Sequence, residues 1–132
     1  IESFERLDAG GEAAFAALDV DVFLEVAGQR GDDVDALRGE EFRQVVTDIW
    51  LPRLREFKPE MILISAGFDA HYEDDLGGLN LVEKDFAWVT EQLKYLSDET
   101  AQGRIVSLLE GGYVLSALSR SVAEHIKVLA GI

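Results

Sequence analysis

Two short stretches of this chain concentrate side chains that could do chemistry. The first, Gly67 to Leu81, packs Asp69, His71, Glu73, Asp74 and Asp75 into seven positions directly after an apolar run. Carboxylates and imidazoles suit zinc or another divalent cation, and the same cluster would serve as a solvated turn. Asp69 is the sharper candidate, because it follows Gly67-Phe68 at a strand end. His71 reads as a ligand, as a partner supporting one, or as an ordinary loop histidine. The second stretch is Leu109-Glu110-Gly111-Gly112-Tyr113. Paired glycines allow positive φ or close approach of a ligand to the backbone, and they equally make a tight strand-to-helix turn. As a phosphate cradle the stretch lacks both G-x-G-x-x-G and a Walker lysine. Tyr113, just past the glycines, is placed either to donate a hydrogen bond to a developing oxyanion or to pack on the neighbouring helix.

The elements that must position these loops follow from periodicity. Residues 1–19 suggest a short helix around Glu12–Leu18. Val20, Val22, Leu24 and Val26 then alternate with Asp21, Phe23 and Glu25, which argues for a strand. GQRGDDVD is a turn-rich linker. From Leu37 to Phe57, the residues Phe42, Val45, Val46, Ile49, Trp50, Leu54 and Phe57 fall at helical spacing. Pro52 should kink that helix or remove one hydrogen bond, and Lys58-Pro59 should end it. Glu60 to Ala66 is a nearly continuous apolar run, the mark of a strand buried on both faces of a parallel sheet. Glu83 to Ala101 is helical again, with Gly103 as its cap. Ile105 to Leu109 reads as a second buried strand. Leu115 to Ala130 reads as a last helix with Leu118, Val122, Ile126 and Leu129 inward. Trp50, Phe86 and Trp88 read as core or interface aromatics.

Strands alternating with helices imply right-handed crossovers and a parallel α/β sheet flanked by helices in three layers. In such sheets sites form at the carboxyl ends of strands, and both polar loops would emerge there together.

The 132 residues fit one domain, and the net charge of −14 is spread along the chain. With no Lys/Arg cluster, neither nucleic acid nor an anionic membrane is an expected partner; the acidity suits cationic partners or plain solubility. No apolar run approaches the roughly 20 residues of a membrane span, and no signal peptide is evident. The absence of cysteine excludes thiolate chemistry and is compatible with a cytoplasmic setting.

Taken together, SAGFDAHYEDDLGGLNL and, some thirty residues on, GRIVSLLEGGYVLSALSRSV resemble the end of the catalytic domain of the zinc-dependent histone deacetylase and acetylpolyamine amidohydrolase family, closest to its bacterial and class II-like members. The resemblance covers about Phe42 to Gly131 and leaves residues 1–40 poorly matched. It implies part of an arginase/deacetylase-like fold. It implies that Asp69 is a zinc ligand, that Tyr113 polarises the acetyl carbonyl and stabilises the oxyanion, that Gly111 and Gly112 let substrate approach, and that Leu76 lies beside the acyl-lysine tunnel. His71 would stand behind the metal as a supporting residue. Asp75 replaces the proline usual in the family.

The family's site also needs an Asp-x-His segment and a histidine pair, and nothing here matches them: the only histidines are His71 and His125. Zinc belongs to the complete family site, so this chain alone is expected to bind it poorly and not to turn over. The expected partners are the missing N-terminal part of the domain or further copies of the chain in a homo-oligomer formed by strand exchange. Two other readings stand beside this one. One is an interaction or cation-binding module that keeps the deacetylase fold. The other is an unrelated doubly wound domain binding a small molecule at EGGY.

Overall fold

The apolar run after Pro59 forms the axis of the structure, a computed structural model that describes Ala14–Leu18 and residues 38–132. Strand β2 (Ile62–Gly67) lies between β1 (Ala14–Leu18) and β3 (Ile105–Gly111) in a parallel sheet of order β1-β2-β3. Ala14 pairs with Ile62, and Ile62 with Ile105. The helix expected around Glu12–Leu18 is therefore a strand over Ala14–Leu18. Five residues of mostly alanine carry no strong local preference, and pairing along β2 decides their conformation. The strand expected at Val20–Val26 and the linker after it lie outside the described residues.

Between β1 and β2 the chain runs through α1 (Gly39–Val45), a π-helical turn (Val46–Trp50) and α2 (Leu51–Phe57). The π turn is how the helix admits Pro52. Proline has no N–H, and its ring collides with the carbonyl four residues back. Widening the preceding turn, with the Leu51 N–H bonded to the Val46 carbonyl, relieves that collision without breaking the helix. As expected, the helix stops at Lys58-Pro59. Lys58 takes a left-handed conformation (φ 54°) and donates to the Leu54 carbonyl.

Helix α3 (Glu83–Thr100) follows the long loop, and Gly103, at φ 74°, closes it through a bond to the Ser97 carbonyl. Helix α4 (Leu115–Ala130) follows β3. Both crossovers move the same way along the sheet, so right-handedness puts their helices over one face. There Phe42, Val45, Val46, Trp50, Leu54, Phe86, Val89, Leu93 and Leu96 bury Ile62, Ile64 and Ala66 in one core. Trp50 and Phe86 are thus core residues, with Trp88 packed half-buried against them. No described helix is long and apolar enough to cross a membrane.

Two expectations about burial fail. Strand β3 is not a buried strand: Val106 is 44% and Leu108 56% exposed. Both project from the face opposite Ile62 and Ile64, which the described helices do not cover. Helix α4 buries Ala117, Ser121 and His125, while Leu118 and Val122 sit at the core's margin and Ile126 is 54% exposed. On that inward face His125 finds partners. Thr90 donates its hydroxyl proton to the Phe86 carbonyl (2.6 Å), so its oxygen accepts from His125 Nδ1–H (2.7 Å). That leaves Nε2 as the acceptor for Ser107 Oγ–H (2.9 Å), which sets a neutral tautomer by the network. The chain of bonds joins α3, α4 and β3.

A half-buried ion pair ties α1 to α3. Asp85 caps its own helix by accepting from the Val82 N–H (3.0 Å) and also takes Arg43 Nε (3.2 Å) and a terminal guanidinium nitrogen (3.0 Å). The Arg43 guanidinium lies over Trp88. We expect Asp85→Asn to destabilise the fold by about 2 kcal/mol in urea titration, because it weakens the cap and leaves a partly buried arginine unpaired.

Burial also holds the His125 pKa below its ordinary value of 6.5. The unfolded chain then binds this proton more readily than the folded one. Stability from this group is fully present above about pH 6.5 and is lost as pH falls below it. Thermal melts from pH 7.5 to 5.5 should show a falling midpoint, with a shallower slope in His125→Gln. Equal slopes would remove His125 as the cause.

Candidate functional site

The parallel pairing of β2 with β3 brings the two chemistry-bearing loops side by side. Gly67 pairs with Gly111 after a register shift at Ala66/Gly67, and the Phe68 N–H donates to the Gly111 carbonyl (2.9 Å). This bond places Asp69 directly against the paired glycines. A Cβ built on Gly111 would stand 2.9 Å from Asp69 Oδ2 and 3.0 Å from Oδ1, so the carboxylate rests on the glycine's Cα. Gly112 has φ 128°, a conformation that side chains avoid, and it is crowded by Phe68 and Leu118. Gly77 packs so close to the Asp69 carbonyl that a Cβ there would overlap it. The loop thus folds back over its own metal-ligand candidate.

Asp74 joins the two loops. Its side chain is buried. Oδ2 accepts from the N–H groups of Tyr113 (2.7 Å) and Val114 (3.2 Å), and Oδ1 accepts from Leu76 N–H (3.2 Å). Burial alone pushes this carboxyl up, but the three backbone donors outweigh burial and hold it below its ordinary value. The side chains these bonds orient stay accessible: Tyr113 is 60% and Leu76 74% exposed.

His71 sits beneath the loop, fully buried between Tyr72 and Phe86. Its Nδ1 accepts from Glu73 N–H (3.2 Å), and its Nε2 lies 3.5 Å from Glu83 Oε1. Arg120, from α4, bridges Glu83 and Glu73, and its guanidinium holds the Glu83 carboxyl below the usual carboxylate range. The imidazole, the two glutamates and the arginine bind the loop to the starts of α3 and α4.

The structure therefore brings together Asp69, Gly111, Gly112 and Tyr113, with Leu76 tied in through Asp74. It keeps His71 as a buried support of the loop. Asp74 carries more of the geometry than its place among four loop acids suggested. Only the pairing of the two strands reveals that role, since its partners stand some forty residues away. As a zinc site the described residues are incomplete. No three His, Cys, Asp or Glu side chains among them gather to hold a metal, and both histidines have their ring nitrogens turned to protein groups. Catalytic zinc normally takes three protein ligands, and Asp69 supplies one carboxylate.

Comparison with known proteins fits this geometry. The histone deacetylase domain matches residues 23–129. Type-2 histone deacetylase 1 of Dictyostelium discoideum is 43% identical over 82 residues, which cover 62% of this chain and 6% of that protein. Chloroplastic histone deacetylase 14 of Arabidopsis thaliana is 42% identical over 89 residues, 67% of this chain and 21% of that one. Among solved structures, the HD domain of HDA15 superposes with a TM-score of 0.66 at 33% identity, covering 72% of this chain and 26% of that one. The chain thus spans about a fifth or less of the length of these two curated relatives. The matched span takes in both loops and all but the last residue of the described helices, and on that match the chain belongs to the histone deacetylase domain family.

Proposed function

We propose that this chain is the C-terminal portion of a zinc-dependent deacetylase that hydrolyses acetyl-lysine or acetylpolyamine-type amides. The observation that carries the reading is the contact of the Asp69 carboxylate with Gly111, one turn from an exposed Tyr113, at the carboxyl ends of adjacent parallel strands. Glycine at 111 leaves room for the carboxylate itself, and glycine at 112 permits the positive φ of the turn that leads to Tyr113. Tyr113 presents a phenol whose O–H donates to the amide oxygen as negative charge develops there. Leu76 offers apolar surface to the acyl-lysine stem. The residues that would complete the metal site and take the proton from water are not among these, so the chain by itself does not turn over.

A second reading is favoured by the bare side of the sheet: an interaction module that keeps the deacetylase fold. Val106 and Leu108 are exposed on that face of β3, which pairs only with β2 among the described residues. Open edges recruit further strands. The partner proposed for this surface is the rest of a deacetylase domain or, failing that, a second copy of the chain.

Titration calorimetry of the purified chain with zinc, using Asp69→Ala as control, separates the possibilities. The expected result is weak binding or none. Tight one-to-one binding abolished by Asp69→Ala would show a more complete site than proposed. For the protein expressed from its complete reading frame, we expect hydrolysis of an acetyl-lysine peptide. Tyr113→Phe should lower kcat by about 100- to 1,000-fold, the usual effect of removing an oxyanion donor. No hydrolysis, together with dimers or larger species of the chain in light scattering, would favour the interaction module.

A further inference from the structure

Two glycines precede Tyr113, and glycine is the residue that fixes backbone direction least. The phenol has no hydrogen-bond partner among the described residues. Whatever aims Tyr113 must therefore act on the backbone after the glycines, and Asp74 does so. Its Oδ2 takes the N–H groups of Tyr113 and Val114, the residues on either side of the peptide bond where the turn enters α4. Its Oδ1 takes the N–H of Leu76. One buried carboxylate thus holds the main chain of both side chains assigned to the acyl group, while leaving those side chains in solvent.

We propose that Asp74 is the positioning residue of this site, a clamp that fixes the backbone from which the Tyr113 phenol and the Leu76 side chain reach the acyl-lysine path. The clamp itself is a statement about geometry; its meaning for catalysis rests on the deacetylase reading of Tyr113. A carboxylate is needed because both oxygens accept. Asparagine at this position would have the same size, but it would turn an NH2 group toward one set of backbone donors. The Leu76 arm and the Tyr113 arm could not then both be satisfied. Charge strengthens each bond, since hydrogen bonds to ionised acceptors are about twice as strong as neutral ones.

Amide hydrogen exchange followed by NMR on the full 132-residue chain tests this directly. In the unmodified protein the Tyr113 and Val114 amides, though in a solvent-facing turn, should exchange at least about 10-fold more slowly than an unstructured chain of the same sequence. In Asp74→Asn, either these two amides or that of Leu76 should speed up by about 10-fold or more. Core amides of α3, such as Leu93 and Leu96, should keep their rates. The ring signals of Tyr113 should shift or broaden, with Tyr95 on α3 as the unmoved reference. Unprotected Tyr113 and Val114 amides in the unmodified chain would overturn the proposal. So would an Asp74→Asn variant with unchanged loop exchange and an unchanged Tyr113 ring. If Asp74→Asn unfolds, shown by fast exchange at Leu93 and Leu96, protection in the unmodified chain decides. Failure of the deacetylase reading is seen elsewhere, as turnover unaffected by Tyr113→Phe, and leaves these exchange rates where they are.

Discussion

The Asp74 carboxylate hydrogen-bonds both loops at the carboxyl edge of the sheet. Taking a carboxylate out of water costs several kcal/mol unless polar partners replace the lost hydration. Here three backbone N–H groups do so, and the net effect is a carboxyl that gives up its proton more readily than usual. The compensation works in both directions. Those same N–H groups belong to a loop and to a turn at the mouth of a helix, where secondary structure does not satisfy them. The ion and the donors are mutually dependent, and the backbone placement of Leu76 and Tyr113 follows from that dependence.

A second set of contacts holds the underside of the loop. His71 is buried with Tyr72 and Phe86 about it, and Arg120 reaches from α4 across Glu73 and Glu83. Both histidines of the chain are consequently part of the scaffold. His71 supports the first loop, and His125 links Thr90 to Ser107 while its ring meets Phe68 edge-on, one residue before Asp69. The chain's chemistry therefore rests on carboxylates and a phenol. Such a set can bind one side of a metal and can donate to an oxyanion, but it lacks a free imidazole to move a proton near neutral pH.

Much of this was legible in the sequence because local patterns and global packing agree. The apolar run before Gly67 can only be a strand near the centre of the sheet, and the helical spacing from Phe42 to Leu54 survives Pro52 because a π turn absorbs it. The alternation of strands and helices sets the crossovers, and the crossovers bring Asp69 to Gly111. Three features were hidden for a common reason. Ala14–Leu18 is a strand through its pairing, α4 turns His125 inward through its hydrogen bonds, and Asp74 acts through partners forty residues distant. Each depends on contacts between residues far apart in the chain, which leave no mark on local composition or period.

The exposure of β3 has a topological origin. Two right-handed crossovers that advance in the same direction lay all the described helices on the Ile62 and Ile64 side. Val106 and Leu108 are apolar because a strand in such a sheet is made for cover on both faces, and that cover must come from elements other than these. Electrostatics bears on which elements. A chain with a net charge of −14 repels its own copies. Self-association through this face therefore sets apolar burial against like-charge repulsion, and only salt relieves the repulsion. A polypeptide segment of lower acidity meets no such opposition and can add backbone hydrogen bonds along the β3 edge as well. Of the partners proposed for this surface, a segment of lower acidity is therefore the one that charge opposes less than a second copy of the chain.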